Sequence, residues 1–202
     1  MSLSPDRFTG VNAAVLTPVT DDLIPDDALM LEYSNWLMAN GCDGLAILGT
    51  TGEANCFSLK ERIRIIERLI EGGIPSKSLM PGTGSCALTD AVELTRMAVK
   101  AGCGGVLMLP PFYYKNPPDA GLFRFFSEVI QRVGDSNLQI YLYHFPQMSA
   151  TPITYNLIEM LLKEYPDTVC GMKDSSGDLE NMAGAAERFP GFHVLAGAET
   201  VF

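Results

Sequence analysis

The sequence has few basic residues, and they are not clustered. Lys and Arg total 14 against 24 Asp and Glu, which gives a formal net charge of −10. Nucleic acids and anionic membrane surfaces require a basic binding surface, so a partner of either kind is excluded. No run of about 18 apolar residues is present, which also excludes an ordinary membrane-spanning helix.

Metal-binding and redox patterns are missing as well. The five cysteines are odd in number and contain no C-x-x-C pair, so we expect free, buried thiols in a reducing cytosol. The two histidines, His144 and His193, have no Asp, Glu or His neighbours at metal-ligand spacing, which predicts no metal site. The first residues lack the basic start and apolar core of a signal peptide, and we therefore expect a cytoplasmic location.

Nucleotide and serine-hydrolase motifs are not found. G-x-G-x-x-G, G-x-x-x-x-G-K and G-x-S-x-G do not occur, and residues 82–84 form only a lone G-x-G. A bound nucleotide cofactor is therefore not predicted. Hydrophobic residues make up 47% of the 202 residues and charged residues 19%, which indicates a folded chain, with a single domain expected over residues 1–202.

Short apolar runs alternate with amphipathic segments along the whole chain. The runs are continuous rather than alternating, as is typical of parallel strands buried on both faces. Seven strands are predicted, beginning near Val11, Asp43, Ser78, Gly105, Leu138, Thr168 and Phe192. Helices are predicted over 27–40, 58–72, 89–101, 120–133, 154–165 and 179–189, with a capping box at residues 58–61.

Seven strand–helix repeats fit either an open doubly wound sheet or a (β/α)8 barrel. Polar residues collect at the carboxyl ends of the predicted strands, where a barrel carries its active site, and this favours the barrel. They are Thr17, Thr50, Thr51, Thr83, Tyr113, Tyr114, Tyr143, Lys173 and Glu199. The sequence ends at Phe202, just past the seventh strand, so the prediction is a TIM barrel truncated there, without its C-terminal helical region.

Lys173 is the strongest catalytic candidate. It ends the apolar strand of residues 169–173. A lysine inside a barrel is desolvated, which favours the neutral amine, and a neutral amine can attack a ketone to form an imine. The competing interpretation is a lysine that reaches solvent or pairs with Asp174.

Two further segments carry candidate site residues. Tyr143 ends the neighbouring strand and, if it points inward, its phenol can relay protons to the lysine. Residues 49–53, G-T-T-G-E, follow the second strand, and their glycines and threonines could form a small anion nest suited to a carboxylate. A packed aromatic and an ordinary turn are the respective alternatives. The proline-stiffened aromatic loop of residues 110–118 could be a lid, a subunit contact or a space-filling loop.

Three motifs occur in order at matching strand positions. They are G-T-T-G-E at 49–53, Y-x-x-P at 143–146 and G-x-K-D-x-S-G-D at 171–178. Together they resemble the dihydrodipicolinate synthase / N-acetylneuraminate lyase family, and the resemblance covers residues 11–199. It implies a (β/α)8 barrel and a class I aldolase that needs no cofactor.

The resemblance also implies roles for individual residues. Lys173 would form a Schiff base with the 2-oxo group of pyruvate or a related 2-oxo acid, and Tyr143 would relay protons. Thr50 would link Tyr143 to Tyr114, which a second subunit would supply within a dimer of dimers. Thr51, with backbone N–H groups, would hold the carboxylate. The other candidate substrate-binding residues are Gly52, Gly197 and Glu199.

Two positions depart from the pattern of the synthases. His144 stands where they carry asparagine, and Met148 stands where they carry an arginine that binds the carboxylate of the aldehyde substrate. A methionine cannot make that bidentate contact. The departures disfavour dihydrodipicolinate synthesis proper, which is kept as an alternative, and leave the aldehyde partner open. The sialate lyases are also an imperfect match, because they usually carry G-S-T-G-E and an acidic pair after strand 7.

Two hypotheses of other classes are kept. One is a non-catalytic relative that binds a 2-oxo acid as a sensor, which the presence of Lys173, Tyr143 and Thr50 disfavours. The other is a structural or interaction fragment, motivated by the position of Phe202.

Overall fold

The computed structural model describes residues 8–198, which form a curved layer of parallel strands surrounded by helices. The first sheet contains β1 and β2, and the second contains four strands in the order β3-β4-β5-β6. Every strand pair is parallel. The strands are β1 (Asn12–Ala14), β2 (Gly44–Ala46), β3 (Val106–Met108), β4 (Ile140–His144), β5 (Val169–Asp174) and β6 (His193–Ala196).

The third predicted strand lies between the two sheets and joins them, although it forms only isolated bridges. On one side Met80 N donates to Leu45 O (2.9 Å), and on the other Thr83 N donates to Leu107 O (2.9 Å). The ladder is short because Pro81 has no N–H to donate and because β2 ends at Ala46, where the chain enters a turn. Seven strand positions therefore follow one another in chain order, as the sequence predicts.

Helices connect successive strands and cover the outside of the layer. They are α1 (Asp27–Ala39), α2 (Leu59–Glu71), α3 (Leu88–Lys100), α4 (Asp119–Val133), α5 (Pro146–Ser149), α6 (Tyr155–Glu164) and α7 (Leu179–Arg188). All six predicted helices are present, with each end within one residue of its expected position, and the short α5 was not predicted. The predicted capping box is confirmed, with Ser58 Oγ accepting from Glu61 N and the Glu61 carboxylate accepting from Ser58 N.

Strand residues alternate between the two faces of the layer. On β4, Ile140 and Leu142 pack outward against the helices, whereas Tyr141 and Tyr143 point into the barrel. Both faces are buried, which explains why the strands are apolar without a break. The interior cluster also contains Ala46, Met80, Leu107 and Cys170.

β1 and β6 are the two edges of the layer, and they do not pair with each other in the part of the chain that the structure describes. A cavity of about 530 Å³ lies between them, with Lys173 in its wall. The described residues thus form a barrel that is open at this seam. Cys170 is buried, as expected, but Cys56 and Cys86 are exposed, so the prediction of buried thiols is wrong for these two.

Candidate active site

Lys173 and Tyr143 lie side by side at the carboxyl ends of β5 and β4. The strand register pairs the two residues directly, which places both side chains on the inner face. Lys173 Nζ lies 4.9 Å from the centroid of the Tyr143 ring. Tyr143 is 4% exposed, whereas Lys173 is half-buried and borders the open seam. An amine and a phenol therefore share one wall of the barrel.

Asp174 does not pair with Lys173. Its carboxylate is fully buried on the outer face, where it accepts from Ser176 N (2.8 Å), Ser176 Oγ (2.5 Å) and Asn181 Nδ2 (2.6 Å). Within residues 8–198, Lys173 makes no ion pair with any acidic side chain. Adjacent residues of a strand face opposite sides, so the Lys173 amine and the Asp174 carboxylate point away from each other.

Thr50 completes a three-residue arrangement. Its Oγ1 lies 3.2 Å from Tyr143 Oη, and either hydroxyl can be the donor. A tight turn brings it there: Leu48, with φ of 54°, and Glu53, with φ of 50°, are both left-handed. Gly82 makes room for this turn, because a Cβ at that position would lie 2.0 Å from Leu48 O. Left-handed backbone at a buried leucine is costly, and its presence indicates that the surrounding packing fixes the turn.

The predicted carboxylate nest lies in the same turn. Thr51 is exposed and Gly52 is buried, with Gly52 O accepting from Thr17 Oγ1 (2.8 Å). The turn uses the N–H groups of Glu53 and Ala54 internally, whereas those of Thr51 and Gly52 donate to no group in the described chain. These two N–H groups can therefore receive an anion. Gly52 is required sterically, because a Cβ there would lie 2.8 Å from Val15 O.

Gly197 lies beside the lysine stem, just after β6. Its N–H donates to Asp174 O (2.7 Å), and a Cβ at Gly197 would lie 3.0 Å from Lys173 Cε and 2.1 Å from Ser175 Oγ. A Cβ would also lie 2.9 Å from the backbone oxygen of Asp174, so a larger residue at this position requires the backbone to shift. Glu199, the other candidate after β6, lies outside the described residues.

Tyr114 is not brought into this arrangement by its own chain. It is 83% exposed on the loop between β3 and α4, where it packs edge-on against Tyr113 with ring centroids 5.1 Å apart. Tyr113 is 71% exposed. The loop thus presents two neighbouring phenol rings to the surroundings.

The sequence analysis did not identify as part of the site two buried polar residues that lie near it, Arg62 and Asp174. Arg62 could have been singled out from the sequence, because it occupies the apolar face of α2 with Ile65, Ile66 and Leu69.

Among residues 8–198, no three His, Cys, Asp or Glu side chains are grouped as metal ligands. No described helix is long and apolar enough to cross a membrane.

His144 supports the loop that follows β4. Its ring is buried on the outer face, and Nδ1 accepts from Ile153 N at 3.0 Å, so the neutral ring carries its proton on Nε2. Burial lowers the pKa of His144, while the charges of Asp174 and Asp178 act in the opposite direction. Protonation of Nδ1 would remove the acceptor for Ile153 N.

This arrangement predicts a pH-dependent stability. Because the pKa of His144 is lower in the folded state, the unfolded chain binds the proton more readily, so stability is lost as pH falls below about 6.5, the ordinary histidine value. His144→Asn keeps an acceptor near the Nδ1 position but does not titrate. We expect the melting temperature of the wild type to fall more steeply than that of H144N between pH 7.5 and pH 5. Parallel curves would contradict this role.

The fold and the site together define a class of protein: a (β/α)-barrel with a lysine and a tyrosine at adjacent strand ends. A profile of the dihydrodipicolinate synthetase family matches residues 7–202. The chain belongs to this family. An uncharacterized DapA-like lyase of Chloroflexus aurantiacus is 36% identical over 191 residues, covering 94% of this chain and 63% of the relative. The 4-hydroxy-tetrahydrodipicolinate synthase of Thermus thermophilus is 34% identical over 176 residues, covering 87% and 57%.

Solved structures give the same result. Dihydrodipicolinate synthase from Agrobacterium tumefaciens C58 superposes with a TM-score of 0.89 at 30% identity, covering 92% of this chain and 65% of the other. YagE, a prophage protein of E. coli K12 whose crystal structure is in complex with pyruvate, superposes with a TM-score of 0.84 at 28% identity, covering 94% and 63%. The chain thus spans slightly less than two thirds of the length of these structures, and the predicted barrel fold is confirmed.

Proposed function

We propose that this protein is a class I aldolase or lyase that forms a Schiff base between Lys173 and pyruvate or a related 2-oxo acid. The observation that carries the proposal is the placement of a half-buried lysine amine 4.9 Å from the ring of Tyr143, whose hydroxyl contacts Thr50. Family membership supports it, as do relatives named as lyases and synthases and a relative crystallised with pyruvate.

The chemistry follows from these groups. The neutral amine of Lys173 adds to the 2-oxo carbon, and Tyr143 donates a proton to the departing hydroxyl, which leaves as water and yields an iminium ion. The iminium draws electrons from C3, and the Tyr143 phenolate takes up a C3 proton, which gives an enamine and restores the phenol. The enamine carbon bonds to an aldehyde carbon, whose oxygen takes the phenol proton. Water then hydrolyses the iminium, which releases product and free lysine and returns a proton to Tyr143. In the reverse direction the same steps cleave the carbon–carbon bond.

This covalent route supplies its own electron sink, so we propose that no cofactor is needed. The free N–H groups of Thr51 and Gly52 are the proposed contacts of the substrate carboxylate. Gly197 leaves space beside the lysine stem, and Glu199 is kept as a candidate contact for the distal end of the substrate.

The aldehyde partner is proposed to differ from that of the synthases. Met148, which is 60% exposed, offers no charged group to a second carboxylate. Dihydrodipicolinate synthase activity is the second candidate, favoured by the names of several relatives. A comparison of aspartate semialdehyde with uncharged aldehydes as acceptors, with product followed by mass, distinguishes the two.

Tyr114 is proposed to reach the site of a second subunit within a dimer of dimers. Its 83% exposure, beside Tyr113, supports a contact with another chain rather than a role in its own barrel. A cytoplasmic location is proposed on the grounds of the sequence alone.

Exchange of the pyruvate methyl protons tests the proposed function without knowledge of the aldehyde. Enamine formation should replace the C3 protons of pyruvate by deuterium in D2O, which NMR follows directly. Borohydride should at the same time fix pyruvate to the protein irreversibly. Reversible pyruvate binding with neither exchange nor trapping would instead support the non-catalytic sensor.

The contact between Thr50 and Tyr143 can be tested with two variants that should differ in their rate of methyl exchange. Thr50→Val is nearly isosteric but removes the hydroxyl, whereas Thr50→Ser keeps it. We expect T50V to slow methyl exchange about 10-fold or more, because the phenol loses its only described hydrogen-bond partner, and T50S to stay within about 3-fold of the wild type. Equal rates for both variants would show that the hydroxyl has no part in proton transfer.

A further inference from the structure

A buried arginine lies behind the Thr50–Tyr143 pair. Arg62, on α2, is 6% exposed, and its Nη2 donates to Gly82 O (2.8 Å) and Gly84 O (3.2 Å). Burial lowers the pKa of Arg62 to about 10, while Asp90 acts to raise it. The guanidinium therefore stays charged at neutral pH.

The same guanidinium has an N–H without a partner. Arg62 Nε is buried and donates to no group in the part of the chain that the structure describes. Buried donors are almost always satisfied, either by protein or by an ordered water. Arg62 also lines a cavity of about 20 Å³, together with Thr50 and Tyr143. A cavity of this size holds about one water molecule when polar groups are available to bind it.

We infer that Arg62 is a positioning residue that, through one ordered water in this cavity, orients the Thr50 and Tyr143 hydroxyls for proton donation toward Lys173. The inference rests on the proposed function. A guanidinium donates and cannot accept, and its positive charge turns the oxygen of a bound water toward it and the hydrogens away, which favours donation by the water to Thr50 Oγ1. Arg62 Nε–H donates to the water, the water donates to Thr50 Oγ1, and Thr50 donates to Tyr143 Oη.

This series of hydrogen bonds ends at Tyr143. With the Thr50 proton directed at Tyr143 Oη, 3.2 Å away, the phenol keeps its own proton for donation to a substrate bound at Lys173. The phenol is then set as a proton donor at the moment when the hydroxyl must leave as water. The structural contacts of Arg62 to Gly82 and Gly84 also hold the segment that makes room for the Thr50 turn, so the test must separate the two roles.

Two substitutions make that separation. Arg62→Lys keeps a cation that can only donate. Arg62→Gln can still donate to Gly82 O, but it is neutral and its amide oxygen can accept, so it no longer favours one orientation of the water. We expect R62Q to slow saturated methyl exchange of pyruvate about 10-fold, with less than about 2-fold change in the pyruvate concentration at half-maximal rate, and to increase the solvent isotope effect. R62K should stay within about 3-fold of the wild type.

Three results overturn the inference. The first is an R62Q rate equal to that of the wild type. The second is an equal loss in both variants with an unchanged isotope effect, which is the signature of a structural role alone. The third is a high-resolution crystal structure with no water within hydrogen-bond distance of Arg62 Nε and Thr50 Oγ1. The crystallographic result decides the matter even if the wild type exchanges no protons, and that failure would count against the proposed function alone.

Discussion

Replacement of Lys173 by alanine is expected to abolish methyl exchange of pyruvate, with a loss of about 10³-fold or more. The reaction needs a covalent bond to an amine, and among the described residues Lys173 is the one lysine in the walls of the two cavities nearest the site. The change removes a half-buried side chain from an open seam, so we expect the melting temperature to change little.

Lys163→Ala is the matched control for this variant. Lys163 lies on the exposed surface of α6, away from the barrel interior, and its loss should leave exchange unchanged. Exchange in K173A at a rate near that of the wild type would mean that another amine, or no amine, carries the reaction.

Tyr143→Phe is expected to have the second largest effect, a loss of about 10²-fold to 10³-fold in the rate of exchange. This range lies within the roughly 10²-fold to 10⁴-fold contribution of a positioned general acid. The substitution keeps the ring that packs against Lys173 and removes only the hydroxyl that contacts Thr50. Imine formation should continue slowly, so borohydride should still trap pyruvate after long incubation.

Tyr141→Phe provides a stringent comparison on the same strand. Tyr141 also points into the barrel, and its hydroxyl accepts from Phe8 N (2.8 Å) instead of facing the lysine. Its loss leaves a buried N–H without this partner and should lower stability by about 1–3 kcal/mol, with little change in exchange rate. If Y143F and Y141F lose activity to the same extent, the effect of Tyr143 is one of packing.

The fold was predictable because parallel strands and amphipathic helices leave strong local patterns. Continuous apolar runs marked all seven strand positions, and the Ser58 capping box marked the start of α2. The segment around Pro81 was predicted as an ordinary strand, but it forms only bridges, because its hydrogen bonding depends on where the neighbouring chain turns. That turn contains Leu48 with positive φ, a conformation that no local pattern indicates for leucine.

The part of the candidate site that could be predicted is the part in which strand alternation sets the direction of a side chain. Lys173 pairs in register with Tyr143 and faces inward, whereas Asp174 faces outward, so the predicted alternative of a Lys173–Asp174 pair is excluded. Arg62 was missed because a single arginine in an apolar stripe does not reveal which carbonyl groups it meets across the fold. Its contacts to Gly82 and Gly84 are set by tertiary packing. The partner of Tyr114 depends on a second chain and remains a prediction.

Peptide mapping can show whether the Lys173 amine forms the proposed covalent bond with a 2-oxo acid. The protein is incubated with pyruvate, reduced with borohydride and digested with trypsin. Because trypsin does not cleave after an alkylated lysine, modification at Lys173 should yield one peptide of residues 164–188 that carries the mass of pyruvate less one oxygen. Cleavage after an unmodified Lys173, or the added mass on a different lysine, would contradict the account.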